Sequence, residues 1–147
     1  MPTLSEKLLK PDVRPKVVAD SNQLIDDEVR DKSGLSGFAI KAAYGVVKAV
    51  KPGIIPDVLD AMLDDFVARL EPLYAEWQKN PATPFQSFLD PRAGQAADAL
   101  LSITDDRAQR SKNQTLKKAY EKLRPSGKKH VESAIPRLGR MISKYVA

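Results

Sequence analysis

Residues 54–77 read IIPDVLDAMLDDFVARLEPLYAEW, and this stretch decides the fold class. Ile55, Val58, Leu59, Met62, Phe66, Leu70, Leu73, Tyr74 and Trp77 recur at three- and four-residue steps, the spacing that lines side chains along one face of an α-helix. The strict alternation that marks a half-buried strand is not convincing anywhere in the chain. Pro72 falls inside the stripe. It carries no amide hydrogen and crowds the carbonyl four residues back, so a kink or break is expected near Glu71.

The same period extends outward from this segment. Towards the N-terminus, Ser36 is placed to cap a helix that runs to about Val50 and ends at Pro52-Gly53. Before it, Pro15 suits the first turn of a helix carrying Val17, Val18, Leu24, Ile25 and Val29, with Gly34 as its stop. Thr3 and Glu6 form a capping-box pattern that starts a single N-terminal turn. On the C-terminal side, Asn80 to Pro84 is the clearest loop, followed by a short turn around Phe85 and Phe88. Asp90-Pro91 then opens a helix reaching towards Ala108. Leu116, Ala119, Tyr120 and Leu123 define another helix, ended by Pro125-Ser-Gly127. Val131, Ala134, Ile135, Leu138, Met141, Ile142 and Tyr145 define the last, with a kink at Pro136. The expected fold is an all-α, single-domain bundle of five to seven helices over residues 1–147, kinked near Pro72 and Pro136.

Composition agrees with a packed domain: 147 residues, 42% hydrophobic and 29% charged. There is no cysteine, which excludes disulfides, thiol nucleophiles and thiolate metal sites. The most apolar segment, Leu35 to Val50, is interrupted by Lys41 and Lys48 and is shorter than the ~20 residues of a membrane span. The N-terminal residues show no export signal. The expectation is a cytoplasmic protein without a transmembrane segment.

Charge divides the chain. Residues 1–106 hold 12 Lys/Arg against 17 Asp/Glu, whereas residues 107–147 hold 12 against two, within a net charge of +5. An acidic segment is thus followed by a basic helical module. Arg107, Arg110, Lys112, Lys117, Lys118, Lys122, Lys129, Arg137, Arg140 and Lys144 recur away from the apolar positions of their helices, and are the candidate surface for an anion or a partner. Three accounts compete: a solvated face paired with the acids at Asp26 to Glu28 and Asp57 to Asp65, an anionic partner, or self-association of acidic half with basic half. Nucleic acid is disfavoured. The only aromatics in the module are Tyr120 and Tyr145, both at core-facing positions rather than placed for base stacking.

The segment from Ser36 to Val50 is rich in small residues. Ala39 with Ala43, and Gly45 with Ala49, invite close approach by a neighbouring helix, and Gly45 suggests packing because glycine costs ~1 kcal/mol against alanine inside a helix. Lys41, Lys48 and Lys51 form a secondary basic stripe with Tyr44 among them. The plainest account is a central helix whose lysines mark its one wet edge. The functional alternative is an amphipathic helix lying on an anionic membrane, although that role ordinarily uses larger apolar residues.

Signals for catalysis are weak. His130 is the single histidine, lies beside Lys129, and has neither a nucleophile nor an orienting carboxylate in reach of its sequence neighbourhood. Asp57, Asp60 and Asp64 share a helical face and are a weak Mg²⁺ candidate, but acids in a first helical turn also complement the helix dipole. No catalytic residue, cofactor or firm metal site is expected.

Lys32-Ser-Gly-Leu-Ser-Gly37, Ile40-Lys41, Lys48 and Lys51-Pro-Gly53 carry a resemblance, together with Asp105-Asp-Arg107, Arg110, Ser111, Asn113, Lys118, Tyr120 and Ala134-Ile-Pro136. In their order the chain resembles an uncharacterised family of small, basic, helical actinobacterial proteins. The resemblance implies a bacterial cytoplasmic protein and brings no activity, substrate or catalytic residue. The expected function is non-enzymatic binding or a structural role, through contact of the basic C-terminal surface with an acidic partner. Peripheral binding to anionic membrane or nucleic acid is the alternative, and a metal-dependent enzyme on the aspartates is the last choice.

Overall fold

A computed structural model describes residues 2–146, so Met1 and Ala147, at the ends of the expected domain, lie outside it. The described residues form seven α-helices, one 3-10 turn and no strand: α1 Leu4–Leu8, α2 Arg14–Arg30, α3 Gly34–Val50, α4 Ile54–Gln78, α5 Phe85–Leu89, a 3-10 turn Asp90–Arg92, α6 Ala93–Arg110 and α7 Gln114–Val146. The all-α bundle expected from periodicity is the fold.

The stripe on α4 organises the core. Leu63, Val67, Leu70, Leu73 and Tyr74 are buried among Leu4 and Leu8 of α1, Val17 of α2, Phe85 and Leu89 of α5, Ala96 of α6, and Ile135 and Ile142 of α7. Tyr74, Trp77, Phe85 and Phe88 form an aromatic group with ring centres 5.6–6.3 Å apart. The Trp77 indole donates to the Thr83 carbonyl at 2.8 Å and so folds the Asn80–Pro84 loop back over that group. Thr3 accepts from the Glu6 amide at 3.1 Å, as the capping pattern anticipates.

Helix boundaries depart from the sequence reading in three places. First, α4 and α7 run on through their prolines, Pro72 in one and Pro125 and Pro136 in the other. The expected stop at Pro125-Ser-Gly127 is therefore absent, and the basic module is the end of α6 plus one 33-residue helix rather than two paired helices. Packing outweighs the proline penalty there: α7 packs more extensively on α6 than on any other helix, and a Cβ at Gly127 would lie 3.8 Å from the Leu101 methyl on α6, while Pro125 itself faces solvent. Second, α2 ends at Arg30 and α3 begins at Gly34, with Ser33 rather than Ser36 at the cap position. Gly34 adopts φ +73°, so it opens α3 instead of closing α2. Third, Asp90-Pro91 opens a 3-10 turn, and α6 starts only at Ala93. A Cβ at Gly37 would sit 2.8 Å from the Lys32 carbonyl carbon, so the first turn of α3 closes tightly over the α2–α3 connection.

Helices α2, α4, α6 and α7 surround an apolar slot of about 240 Å³, partly open to solvent. Its walls include Ile25, Leu59, Phe66, Leu100, Val131 and Leu138, and Leu8 of α1 also faces it.

Candidate binding surface

The ten cations singled out from sequence divide by position. Arg137, on the third quarter of α7, reaches back to α2: it donates to Glu28 at 2.8 Å and to Asp31. Glu28 also accepts from Lys32 at 3.1 Å and from the Ser133 hydroxyl at 2.9 Å, and is only 14% exposed. Lys144 binds Asp20 at 3.1 Å, and the Tyr145 hydroxyl donates to the same carboxylate. These contacts hold two carboxyl groups below their usual range. At Asp31 the main cause is the Arg137 hydrogen bond; at Asp20 it is the Tyr145 hydroxyl, then Lys144. Arg137 and Lys144 are thus neutralised by the acidic half of their own chain, whereas Arg140 between them is not. Arg137 and Lys144 belong to that internal network, and the expected free surface is corrected there.

Arg110 pairs with Asp106 on its own helix at 2.9 Å, with both side chains well exposed. Arg107, Lys112, Lys117, Lys118, Lys122, Lys129 and Arg140 have no carboxylate within 4.0 Å among the described residues. All but the half-buried Lys117 are exposed. Lys118, Lys122, Lys129 and Arg140 are separated by four, seven and eleven residues, which places them on one outward face of α7. Behind this face α7 is fixed to α6 by Arg124 on Asp105 (2.7 and 3.1 Å) and by the Tyr120 hydroxyl, which meets Asp105 and lies 2.8 Å from Thr104 Oγ1. Burial foremost, then the Asp105 carboxylate, pushes the Tyr120 hydroxyl up to about 12. Lys128 joins the same seam through Asp98 at 3.0 Å.

The secondary stripe does not hold together. Lys51 lies beyond the end of α3 and pairs with Asp57 at 3.1 Å. Lys48 sits 3.8 Å from Asp26 and over the Tyr44 ring at 5.0 Å, while the Tyr44 hydroxyl donates to Asp26. Lys41 alone is exposed with no carboxylate partner among the described residues.

Helix α3 is also not central. Its buried side is Gly37, Ile40 and Ala43, packed chiefly along α7. Its opposite side is apolar and open: Leu35 is 92% exposed, Phe38 74% and Val46 47%, with Ala39, Ala42, Gly45 and Ala49 between them also exposed. Gly45 therefore meets no neighbouring helix, and nothing lies within 4 Å of a Cβ built there. Leu35, Phe38 and Val46 do not stand out as a surface from sequence alone. Their signal was present in the three- and four-residue steps through 35, 38, 42, 46 and 49, but the helix is apolar on two sides and periodicity does not say which side meets the core.

The weak chemical candidates resolve into structural contacts. Asp60 and Asp64 hold the Arg14 guanidinium at 2.8 and 3.0 Å, and Asp57 faces Lys51, so the three aspartates do not converge on a cation site. No group of three or more His, Asp or Glu among the described residues is placed to share a metal ion. Burial first, then Lys32 and Lys129, depresses the proton affinity of His130, whose buried Nε2 has no hydrogen-bond partner.

Fold and surface together define an all-α helical bundle that carries an apolar exposed helix beside a cationic one, and among the described residues no helix is long and apolar enough to cross a membrane. Residues 4–146 match a family of unknown function (DUF6918), and the chain belongs to that family. No curated protein and no solved structure matches the chain.

Proposed function

We propose that the protein is a non-catalytic binding module whose surface, formed by the open face of α3 and the cationic face of α7, takes an acidic, amphipathic protein partner. One observation carries this reading: Lys117, Lys118, Lys122, Lys129 and Arg140, all without a carboxylate partner among the described residues, lie on α7, the helix against which the apolar-faced α3 packs. Protein interfaces combine an apolar centre with a charged or polar rim. Leu35, Phe38 and Val46 supply the first, and Lys41, Lys118, Lys122 and Lys129 the second. An anionic membrane suits the arrangement less well, because Ala39, Ala42, Gly45 and Ala49 give little apolar surface to insert. The setting of this reading is the bacterial cytoplasm, the expectation that the family resemblance carries.

The test uses a fluorescent helical peptide with glutamates on one face and leucines on the other. Its binding is followed by anisotropy across a salt series, beside phosphatidylserine vesicles and a short DNA duplex. The expected result is salt-sensitive peptide binding that Lys118→Glu/Lys122→Glu abolishes and Leu35→Ser/Phe38→Ser weakens, with melting temperature unchanged in both. Binding to vesicles alone would replace this reading with the membrane one, and binding to the duplex alone with the nucleic-acid one. Binding to none of the three would end it.

A further inference from the structure

The four-helix slot is walled almost wholly by aliphatic side chains. The only polar side chains on it, Ser21 and Thr104, have already committed their hydroxyls: Ser21 to the Met141 sulfur at 3.7 Å, and Thr104 to the Leu101 carbonyl at 3.1 Å and the Tyr120 hydroxyl at 2.8 Å. An ordered water needs two to four polar partners, and the two engaged hydroxyls leave it acceptor lone pairs only and no donor. The lining residues run from Leu59 to Leu70 on α4 and from Val131 to Ile142 on α7, and at 1.5 Å per residue each run is about 16 Å long. The slot is therefore drawn out along the bundle axis. An elongated apolar slot follows the contour of an extended hydrocarbon chain rather than that of a compact ring system.

We infer that the slot binds a single unbranched aliphatic chain, such as the tail of a medium-chain acyl compound. The chain enters along the bundle axis, and any charged head group stays in solvent, because no uncommitted donor waits inside. The volume is about eight times the ~30 Å³ of a liquid water molecule, and a methylene group is of similar size, so roughly eight carbons fill it. This site is separate from the α3–α7 surface and stands whether or not that surface takes a partner.

The experiment titrates the full chain with hexanoate, octanoate and decanoate below their micellar range, and with cyclohexanecarboxylate, by calorimetry and methyl NMR. Affinity is expected to rise about fourfold per added methylene until the slot is full, and then to level off. The methyls of Leu63, Val67 and Val131 shift in saturable fashion, while those of Leu35 and Val46 do not. Filling the slot by Ala134→Leu lowers octanoate affinity roughly tenfold or more. Absence of saturable binding overturns the inference, as do shifts confined to Leu35 and Val46, or cyclohexanecarboxylate binding as tightly as octanoate. Undiminished affinity in a folded Ala134→Leu variant does the same. Should that variant not fold, the methyl-shift map of the unaltered protein decides.

Discussion

Removing the Glu71 carboxylate is the perturbation whose effect the structure fixes most closely. Glu71 lies on α4, and its two oxygens accept from the amides of Leu4 (3.1 Å) and Ser5 (2.7 Å), the first two residues of α1. Thr3 takes the third amide and its own carbonyl the fourth, so every orphan donor of this one-turn helix is satisfied. A five-residue helix has no stability of its own. It persists because Leu4 and Leu8 are buried in the core and because the carboxylate meets the positive end of the helix. Hydrogen bonds to a charged group contribute roughly 1.5–3 kcal/mol each, and both of these are only part-buried, so Glu71→Ala is expected to cost about 3 kcal/mol. With a urea m-value near ~2 kcal/mol/M for a chain of this size, the unfolding midpoint falls by about 1.5 M. Glu71→Gln keeps one acceptor oxygen and should lose about half as much. Because Leu8 also faces the slot, the Ala variant should in addition bind aliphatic probes more weakly. A midpoint shift in Glu71→Ala below ~0.3 M at unchanged m would refute the reasoning.

Glycine substitutions should separate by position. Gly37→Ala forces a Cβ against the Lys32 backbone and should destabilise by about 1–3 kcal/mol, whereas Gly45→Ala, with nothing within 4 Å, should stabilise by up to ~1 kcal/mol; paired urea melts decide. Stability should fall at high pH, since burial first and aspartate contacts next raise the hydroxyls of Tyr44, Tyr120 and Tyr145, the last two to about 12. A raised folded pKa means this contribution is whole below the unfolded value near ~10 and is lost as pH rises from there. Melting curves between those limits should show it, and less steeply in Tyr120→Phe. At low pH the depressed carboxyls of Asp20, Asp31 and Asp105 act in the opposite sense: their contribution is whole above about pH 4 and disappears as pH falls through their folded values. A melting temperature flat from neutral pH down to about 2 would count against the paired network.

The core was legible in the sequence where one helix face alone is apolar. On α4 the stripe from Ile55 to Trp77 pointed to a long helix, and Leu70, Leu73 and Tyr74 lie in the core accordingly, joined by Leu63 and Val67, which the stripe passed over. Legibility failed where two local signals conflicted or where distant residues decided the outcome. Pro125-Ser-Gly127 is a strong local stop, but packing of α7 on α6 carries the helix through it. For α3, both sides are apolar, and only the tertiary arrangement shows that Ile40 and Ala43 face inward while Leu35 and Phe38 do not. The cation surface was half legible. Its existence follows from composition, but the capture of Arg137 by Glu28 and Asp31 joins residues more than a hundred positions apart. Nothing in local spacing distinguishes Arg137 from Arg140.

That distinction is also where the functional reading is most exposed. Amide hydrogen exchange, with and without the acidic amphipathic peptide, maps the contact directly. Slowed exchange is expected around Leu35 to Ala49 and Lys112 to Lys129, with the Arg137–Lys144 end of α7 unchanged. Slowing centred on Arg137 to Lys144, or none anywhere at saturating peptide, would contradict it.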